Sequence, residues 1–180
     1  MQHNRFKDIP RFISQRGGYG TDVPIAHILT KLYEWVNEGL ILEPDFQRSH
    51  VWTKPQQIAY VEFLLRGCRS GRDLYFNKPS WLQPVLPGEY DEFVCVDGLQ
   101  RITAISRFLR SEIPAFGTLY KDYQDKLPVT QTVRFNVHSL PKKSDVLTWY
   151  LEMNEGGTPH TKTELTRVKT MLRETLERHE

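Results

Sequence analysis

The sequence lacks several features that would assign a function by themselves. It has 2 cysteines, no apolar run long enough to span a membrane, and no signal-peptide or lipidation motif. These absences exclude a disulfide scaffold and predict a cytoplasmic protein with reduced thiols and no membrane contact. Its 6 histidines include no pair at metal-ligand spacing on one predicted element, so a histidine-held metal centre is not expected.

A strong net charge is also missing. Lys and Arg number 24 against 22 Asp and Glu, which leaves a formal charge of +2 and no general positive field for nucleic acid. DNA binding would therefore need a local patch, and residues 1–20 form a basic N-terminal arm with cationic side chains at Arg5, Lys7, Arg11 and Arg16. Such chain ends are usually only solvated. Residues 21–180 are predicted to form a single domain.

No Walker lysine-serine motif is present, which excludes the P-loop class of nucleotide binders. Instead, Asp97-Gly98-Leu99-Gln100-Arg101 lies between the apolar segment 93–96 and residues at helical spacing. A strand-to-helix junction presents free main-chain N–H groups to an anion. Gly98 would let the main chain approach a phosphate and Arg101 would add a bidentate charge. Asp97 would hold a metal, a ribose hydroxyl or an attacking water; the alternative is an ordinary Asp-Gly turn with a capping aspartate.

A second polar cluster repeats part of this motif. Glu43-Pro44-Asp45-Phe46-Gln47-Arg48 follows residues 40–42, which are apolar and are predicted to form a short strand. Both clusters place a glutamine and an arginine just past a strand. The repetition predicts two sides of one site, in which Arg48 and Arg101 meet beside Asp97.

The ordered motifs resemble a known family. They are Asp-Phe-Gln-Arg at 45–48, a glutamine-rich helix start at 56–57, Asp-Gly-Leu-Gln-Arg at 97–101 and Met-Asn-Glu-Gly-Gly at 153–157. Together, from about Ile25 to Met171, they are similar to the GmrS-like N-terminal domain of GmrSD-type modification-dependent restriction proteins. The family's usual signature is Asp-Gly-Gln-Gln-Arg, so Leu99 replaces a glutamine and removes one amide contact. The late segment lacks the family's arginine.

Short strands among helices, without regular alternation, predict an α+β domain with a small mixed β-sheet flanked by helices. The resemblance implies that this fold is ParB/sulfiredoxin-like. It also implies a nucleotide-binding domain, often a nucleoside triphosphatase, that assists a nuclease in phage defence. The HNH-type nuclease domain of longer relatives is not found in these residues, so a stand-alone domain is expected. The implied site residues are Asp97, Gln100 and Arg101 as catalytic groups, Gln47, Arg48, Gly98, Arg101 and Asn154 as nucleotide-binding groups, and Asp97 as the Mg²⁺ ligand.

Two functions remain open on the sequence. In the first, Arg48 and Arg101 clamp the phosphates of a nucleoside triphosphate. Gln47 and Gln100 then orient the triphosphate or a water, and Asp97 carries Mg²⁺ or acts as base. In the second, the domain is a non-catalytic binding module, an accessory or inhibitor subunit whose partner is DNA or a nuclease. Asp97 and the two Gln-Arg pairs favour the first function, whereas the missing nuclease domain and Leu99 favour the second. The oligomeric state is not predicted.

The rest of the pattern predicts individual elements and two further roles. Cys95 is expected to be a small core residue rather than a reactive thiol. The polar face of the strand at 133–138, with Arg134, Asn136 and His138, either borders the site or meets solvent. The predicted helices run from about Val23 to Asn37, from Pro55 to Gly67, after the signature motif, from Ser144 and from Thr161; another strand is predicted at 74–76.

Overall fold

The computed structural model describes residues 5, 18–47, 51–82, 84–155 and 162–177. Three predicted features lie outside these residues: Arg48 of the candidate site, most of the N-terminal arm, and the glycine pair 156–157.

The described chain is a mixed α+β domain with a four-stranded sheet and five helices. The strands are β1 (Gly18–Pro24), β2 (Asp73–Asn77), β3 (Val94–Asp97) and β4 (Thr132–His138). The helices are α1 (Ile28–Asn37), α2 (Lys54–Leu65), α3 (Leu99–Leu109), α4 (Lys143–Glu155) and α5 (Lys162–Glu177). The predicted α+β class with a small mixed sheet is confirmed, whereas the ParB/sulfiredoxin likeness stays a prediction.

The sheet has the strand order β1-β4-β2-β3, and β4 runs parallel to β2 while the outer pairs are antiparallel. Because side chains alternate along a strand, Phe76 and Phe135 lie on the same face of the sheet. The centroids of their rings are 5.1 Å apart, and each lies 5.0 Å from the Trp35 ring centroid. This face packs against α1, α2 and α3. On the opposite face, α4 and α5 cover the region of β3 and part of β2. The result is a sheet between two apolar cores.

Two predicted elements differ from the structure. The helix expected from Val23 begins only at Ile28, because Val23 pairs with Val133 in the sheet and a 3-10 turn at Ile25–His27 precedes α1. The short strand expected at 40–42 is a single bridge between Ile41 and Val94. Gly18 to Gly20 pair with β4, although the sequence predicts them as the end of the basic arm. No helix among the described residues is long and apolar enough to cross a membrane.

Candidate functional site

The signature motif forms the turn between β3 and α3. Asp97 is the last residue of β3, and Gly98 precedes the first turn of α3 with a φ of 127°. A Cβ atom added to Gly98 would lie 2.6 Å from Leu74 Cδ2. Position 98 therefore requires glycine both for its backbone conformation and for its close contact with β2.

Leu99, which departs from the family signature, begins α3. The residue is 5% exposed. Position 99 therefore faces the protein interior and not the solvent side of the turn. The leucine contributes to packing.

Arg101 joins the turn to β2. Its Nη2 pairs with the carboxylate of Asp97, and its Nη1 donates a 2.8 Å hydrogen bond to the main-chain oxygen of Asp73. The Arg101 and Asp97 side chains are 18% and 32% exposed. The guanidinium thus fixes the end of β3, the first turn of α3 and the start of β2 in one arrangement, at a position that solvent reaches.

Two tyrosines adjoin this ion pair. Burial raises the pKa of Tyr60 far above its usual range. The positive charge of Arg101 opposes this shift, and the negative charge of Asp97 adds to it. Burial also raises the pKa of Tyr75, and the nearby Asp73 carboxylate adds to that shift. Both phenols therefore keep their protons at neutral pH and are hydrogen-bond donors. The Tyr60 hydroxyl donates to the main-chain oxygen of Gly71 at 2.9 Å.

Gln100 connects the two predicted motifs. Its Oε1 accepts hydrogen bonds from the main-chain N–H groups of Val51, at 2.9 Å, and Trp52, at 3.0 Å. The Trp52 main-chain oxygen in turn accepts a 2.8 Å hydrogen bond from Gln57 Nε2. The chain that leaves the Asp-Phe-Gln-Arg motif is therefore held against the first turn of α3.

Gln47 approaches the same turn from the other end of that segment. Burial raises the pKa of the Cys95 thiol well above its usual range and Asp97 raises it further, while hydrogen bonds from the Gln47 side chain and the Leu99 main chain lower it. Cys95 is fully buried, as the sequence predicts for a core residue. Gln47 Oε1 is buried and accepts no hydrogen bond from any described residue. Arg48, the next residue, lies outside the described part of the chain.

Asn154 lies in the last turn of α4. Its Nδ2 donates a 2.7 Å hydrogen bond to the main-chain oxygen of Tyr150. The Tyr150 ring packs 5.3 Å from the ring of Phe46, edge to face. The end of α4 is therefore anchored to the residue that precedes Gln47, and Asn154 follows that contact by one helical turn.

The sheet face beside Asp97 carries further polar groups. Asn136 Nδ2 donates a 3.0 Å hydrogen bond to Asp73 Oδ1, across the parallel pairing of β4 and β2. Farther along the face, Arg134 forms a 3.6 Å ion pair with Asp22 of β1. Of the polar residues predicted on β4, Asn136 thus borders the Arg101 region. Arg134 is the register partner of Asp73, but its guanidinium extends to Asp22 of β1. The His138 ring packs against Trp149.

The comparisons with known proteins identify the family. A family model described as GmrSD restriction endonuclease, N-terminal domain, matches residues 29–130, more than half of the chain. The chain belongs to this family. No curated protein and no solved structure matches it.

Membership in the GmrSD N-terminal domain family relates the chain to a restriction system. The matched residues include both Gln-Arg pairs and the signature turn, whereas β4 and α4, which carry Asn136 and Asn154, follow the match.

Sequence reasoning missed three residues that adjoin Arg101 in this GmrSD N-terminal domain: Asp73, Tyr60 and Tyr75. Their position depends on the pairing of distant strands and on the packing of α2, which no local motif encodes. The one available signal was the alternation of Asp73-Leu74-Tyr75-Phe76, which places the aspartate and the tyrosine on the same face.

Proposed function

We propose that this chain binds a nucleoside triphosphate at the signature turn, between Arg101 on α3 and Arg48 at the end of the Asp-Phe-Gln-Arg motif. The observation that carries the proposal is the hydrogen bonding of Gln100 to Val51 and Trp52. These bonds bring the exit of the Arg48 segment to the helix turn that holds Asp97 and Arg101. Two motifs that are far apart in sequence therefore share one region.

The turn has the chemistry that a polyphosphate needs. The first turn of a helix presents main-chain N–H groups that the helix cannot pair internally, and the helix dipole favours an anion there. Arg101 uses only part of its donor capacity on Asp97 and Asp73. A bound phosphate would compete with Asp97 for the guanidinium, which is a strong bidentate donor to phosphate.

Magnesium fits this site only together with the nucleotide. The described residues contain no group of three or more His, Cys, Asp or Glu side chains that could hold a metal. Mg²⁺ is commonly bound through one or two carboxylates plus substrate phosphates, and Asp97 supplies one such carboxylate. When bound, the ion would neutralise charge on the phosphates.

Hydrolysis would need Asp97 to leave its pair with Arg101. A carboxylate neutralised by a guanidinium is a poor base, whereas transfer of Arg101 to the phosphates would free Asp97 to orient a water. Gln100 would position the turn through Val51 and Trp52 in this proposal, because its Oε1 already accepts their two hydrogen bonds.

Calorimetric titration with each of the four ribonucleoside triphosphates, with and without Mg²⁺, tests the proposal. Arg101→Ala and Arg48→Ala should each weaken binding by about tenfold or more, since a charge-assisted hydrogen bond contributes roughly 1.5–3 kcal/mol. Arg110→Ala is the matched control, because Arg110 is exposed at the opposite end of α3. Circular dichroism checks the fold, and Arg101→Lys retains a cation at this position if the alanine variant unfolds. No heat from the wild type with any nucleotide would refute the proposal.

A non-catalytic binding module is the second candidate. It is favoured by the structural contacts of the motif residues: Gly98 packs on Leu74, and Arg101 is engaged by Asp97 and Asp73. A pull-down on modified and unmodified DNA tests it, with Arg5, Lys7, Arg11 and Arg16 changed together to glutamate. Null calorimetry together with charge-sensitive DNA retention would support this function, whereas no DNA retention would reject DNA as the partner.

A further inference from the structure

Asp73 is held at both its main chain and its side chain. Its main-chain oxygen accepts the 2.8 Å hydrogen bond from Arg101 Nη1, and its Oδ1 accepts the 3.0 Å hydrogen bond from Asn136 Nδ2. The first of these contacts comes from α3 and the second from β4. The main chain of Asp73 therefore contacts the guanidinium, while its carboxylate is held by Asn136.

Asp73 retains capacity to accept another hydrogen bond. The side chain is partly exposed, and among the described residues only Asn136 donates to its carboxylate. The two arginines near Asp73 pair with other carboxylates: Arg101 pairs with Asp97, and Arg134 pairs with Asp22. A fixed carboxylate with an accessible oxygen is suited to a ligand that donates a hydrogen bond.

The neighbourhood limits which part of a nucleotide Asp73 can face. A carboxylate beside a polyphosphate without an intervening cation is repelled by it. Asn136 holds the Asp73 side chain on the sheet face. The main chain of Asp73 contacts Arg101, the arginine proposed to bind phosphate. The group that follows the phosphates in a nucleotide is the ribose, whose hydroxyls donate hydrogen bonds to carboxylates in other nucleotide sites.

We propose that Asp73, positioned by Asn136, accepts a hydrogen bond from a ribose hydroxyl and makes the site selective for ribonucleotides over deoxyribonucleotides. This inference rests on the proposed function, because it assumes that Arg101 holds the phosphates. It adds a specificity residue that is outside both Gln-Arg motifs.

Binding of a ribonucleoside triphosphate is compared with that of its 2′-deoxy and 3′-deoxy analogues, for the base that binds best. The wild type should bind at least one deoxy analogue about tenfold more weakly, the loss expected for one hydrogen bond to a charged group. Asp73→Asn should abolish this preference without weakening the deoxy analogue, because the amide retains an acceptor for Asn136 and removes a negative charge.

The matched control is Asp122→Asn. It makes the same chemical change at an exposed position in the 3-10 turn Tyr120–Asp122, and it should keep the wild-type preference. Asn136→Ala should reduce the preference by releasing the carboxylate. Equal binding of all three nucleotides by the wild type, or an unchanged preference in Asp73→Asn, would overturn the inference and leave the proposed function intact. No binding of any nucleotide would instead refute the proposed function.

Discussion

Gln100 Oε1 accepts a 3.0 Å hydrogen bond from the main-chain N–H of Trp52, 48 positions earlier in the sequence. The Trp52 carbonyl is held by Gln57 of α2, whose Oε1 accepts a 2.9 Å hydrogen bond from Arg107 Nη1 of α3. The segment that precedes α2 is therefore attached through side-chain amides to two helices. This network gives the glutamines of the family motifs a defined architectural role.

Gln100→Ala should destabilise the protein and release the 51–52 segment. The substitution removes an acceptor of two main-chain hydrogen bonds, each of which contributes about 0.5–1.5 kcal/mol. Urea unfolding should show a loss of about 1–3 kcal/mol. Gln100→Glu should retain most of the stability at neutral pH because it keeps an acceptor at the same position. Gln124→Ala, on an exposed loop, is the control, and equal midpoints for Gln100→Ala and wild type would contradict the role.

Gly98→Ala should be among the most destabilising single-methyl changes in the chain. The alanine would adopt a φ of 127° and place Cβ 2.6 Å from Leu74 Cδ2. An unfavourable backbone region costs about 1–3 kcal/mol, and the steric contact adds to it. Gly88→Ala is the control, since Gly88 has a φ of 89° but no neighbouring atom within 4 Å of the added Cβ. Thermal unfolding should separate the two, and equal losses would show that the Leu74 contact is unimportant.

The sequence predicted much of the helical structure because apolar periodicity is local. The positions of α2, α3 and α4, and the strand β4, follow from that pattern. β1 was not predicted, because the role of its glycines depends on packing against a distant strand. An added Cβ on Gly20 would lie 2.9 Å from Arg134 Nη2, and one on Gly18 would lie 3.0 Å from the His138 ring. These glycines make room for side chains of β4, and no local rule indicates that.

The candidate site was partly predictable for a similar reason. The motif residues around Asp97 and Arg101 stand in one short segment, so their chemistry is visible in the sequence. Asp73 and Asn136 are 63 positions apart and meet only through the parallel register of β2 and β4. Register depends on the packing of the whole sheet face, which a single sequence does not reveal.

His138 should make the protein less stable at mildly acidic pH. Burial lowers its pKa below the usual value of 6.5, its Nδ1 is buried without a described partner, and its ring packs 4.8 Å from that of Trp149. A lowered folded-state pKa means that the unfolded chain binds the proton more readily. The stabilisation that comes from burying the neutral His138 ring is therefore complete above pH 6.5, and it is lost as the pH falls through the folded-state pKa. Chemical unfolding between about pH 5 and pH 8 measures it.

The matched variant for this titration is His138→Asn, which has no titrating ring. Its unfolding free energy should change less with pH over the same range than that of the wild type. An NMR titration of the His138 ring gives the pKa directly. A ring pKa at or above the value in the unfolded chain would contradict the expectation.

Cys95 should not react with thiol reagents in the folded protein. The residue is 0% exposed, and burial together with the Asp97 carboxylate raises the pKa of its thiol, so the reactive thiolate is scarce. Cys68 is partly exposed and should react. Ellman's reagent should titrate one thiol in native protein and both in denaturant. Cys68→Ser should remove the native signal, and rapid labelling of Cys95 in that variant would show that the strand is open to solvent.

Leu99→Gln restores the usual family residue and should nevertheless bring no gain in nucleotide affinity. Leu99 is 5% exposed at the start of α3, so a glutamine there would place its amide largely in the interior. Burial of an amide without a full set of hydrogen bonds costs about 1–3 kcal/mol. Urea unfolding should therefore show a loss of stability, and calorimetry should show an unchanged or weaker affinity. Leu99→Met, which conserves volume, is the control and should cost less than about 1.5 kcal/mol. Tighter binding by Leu99→Gln would mean that position 99 faces the ligand, because only an exposed amide could add a contact to it.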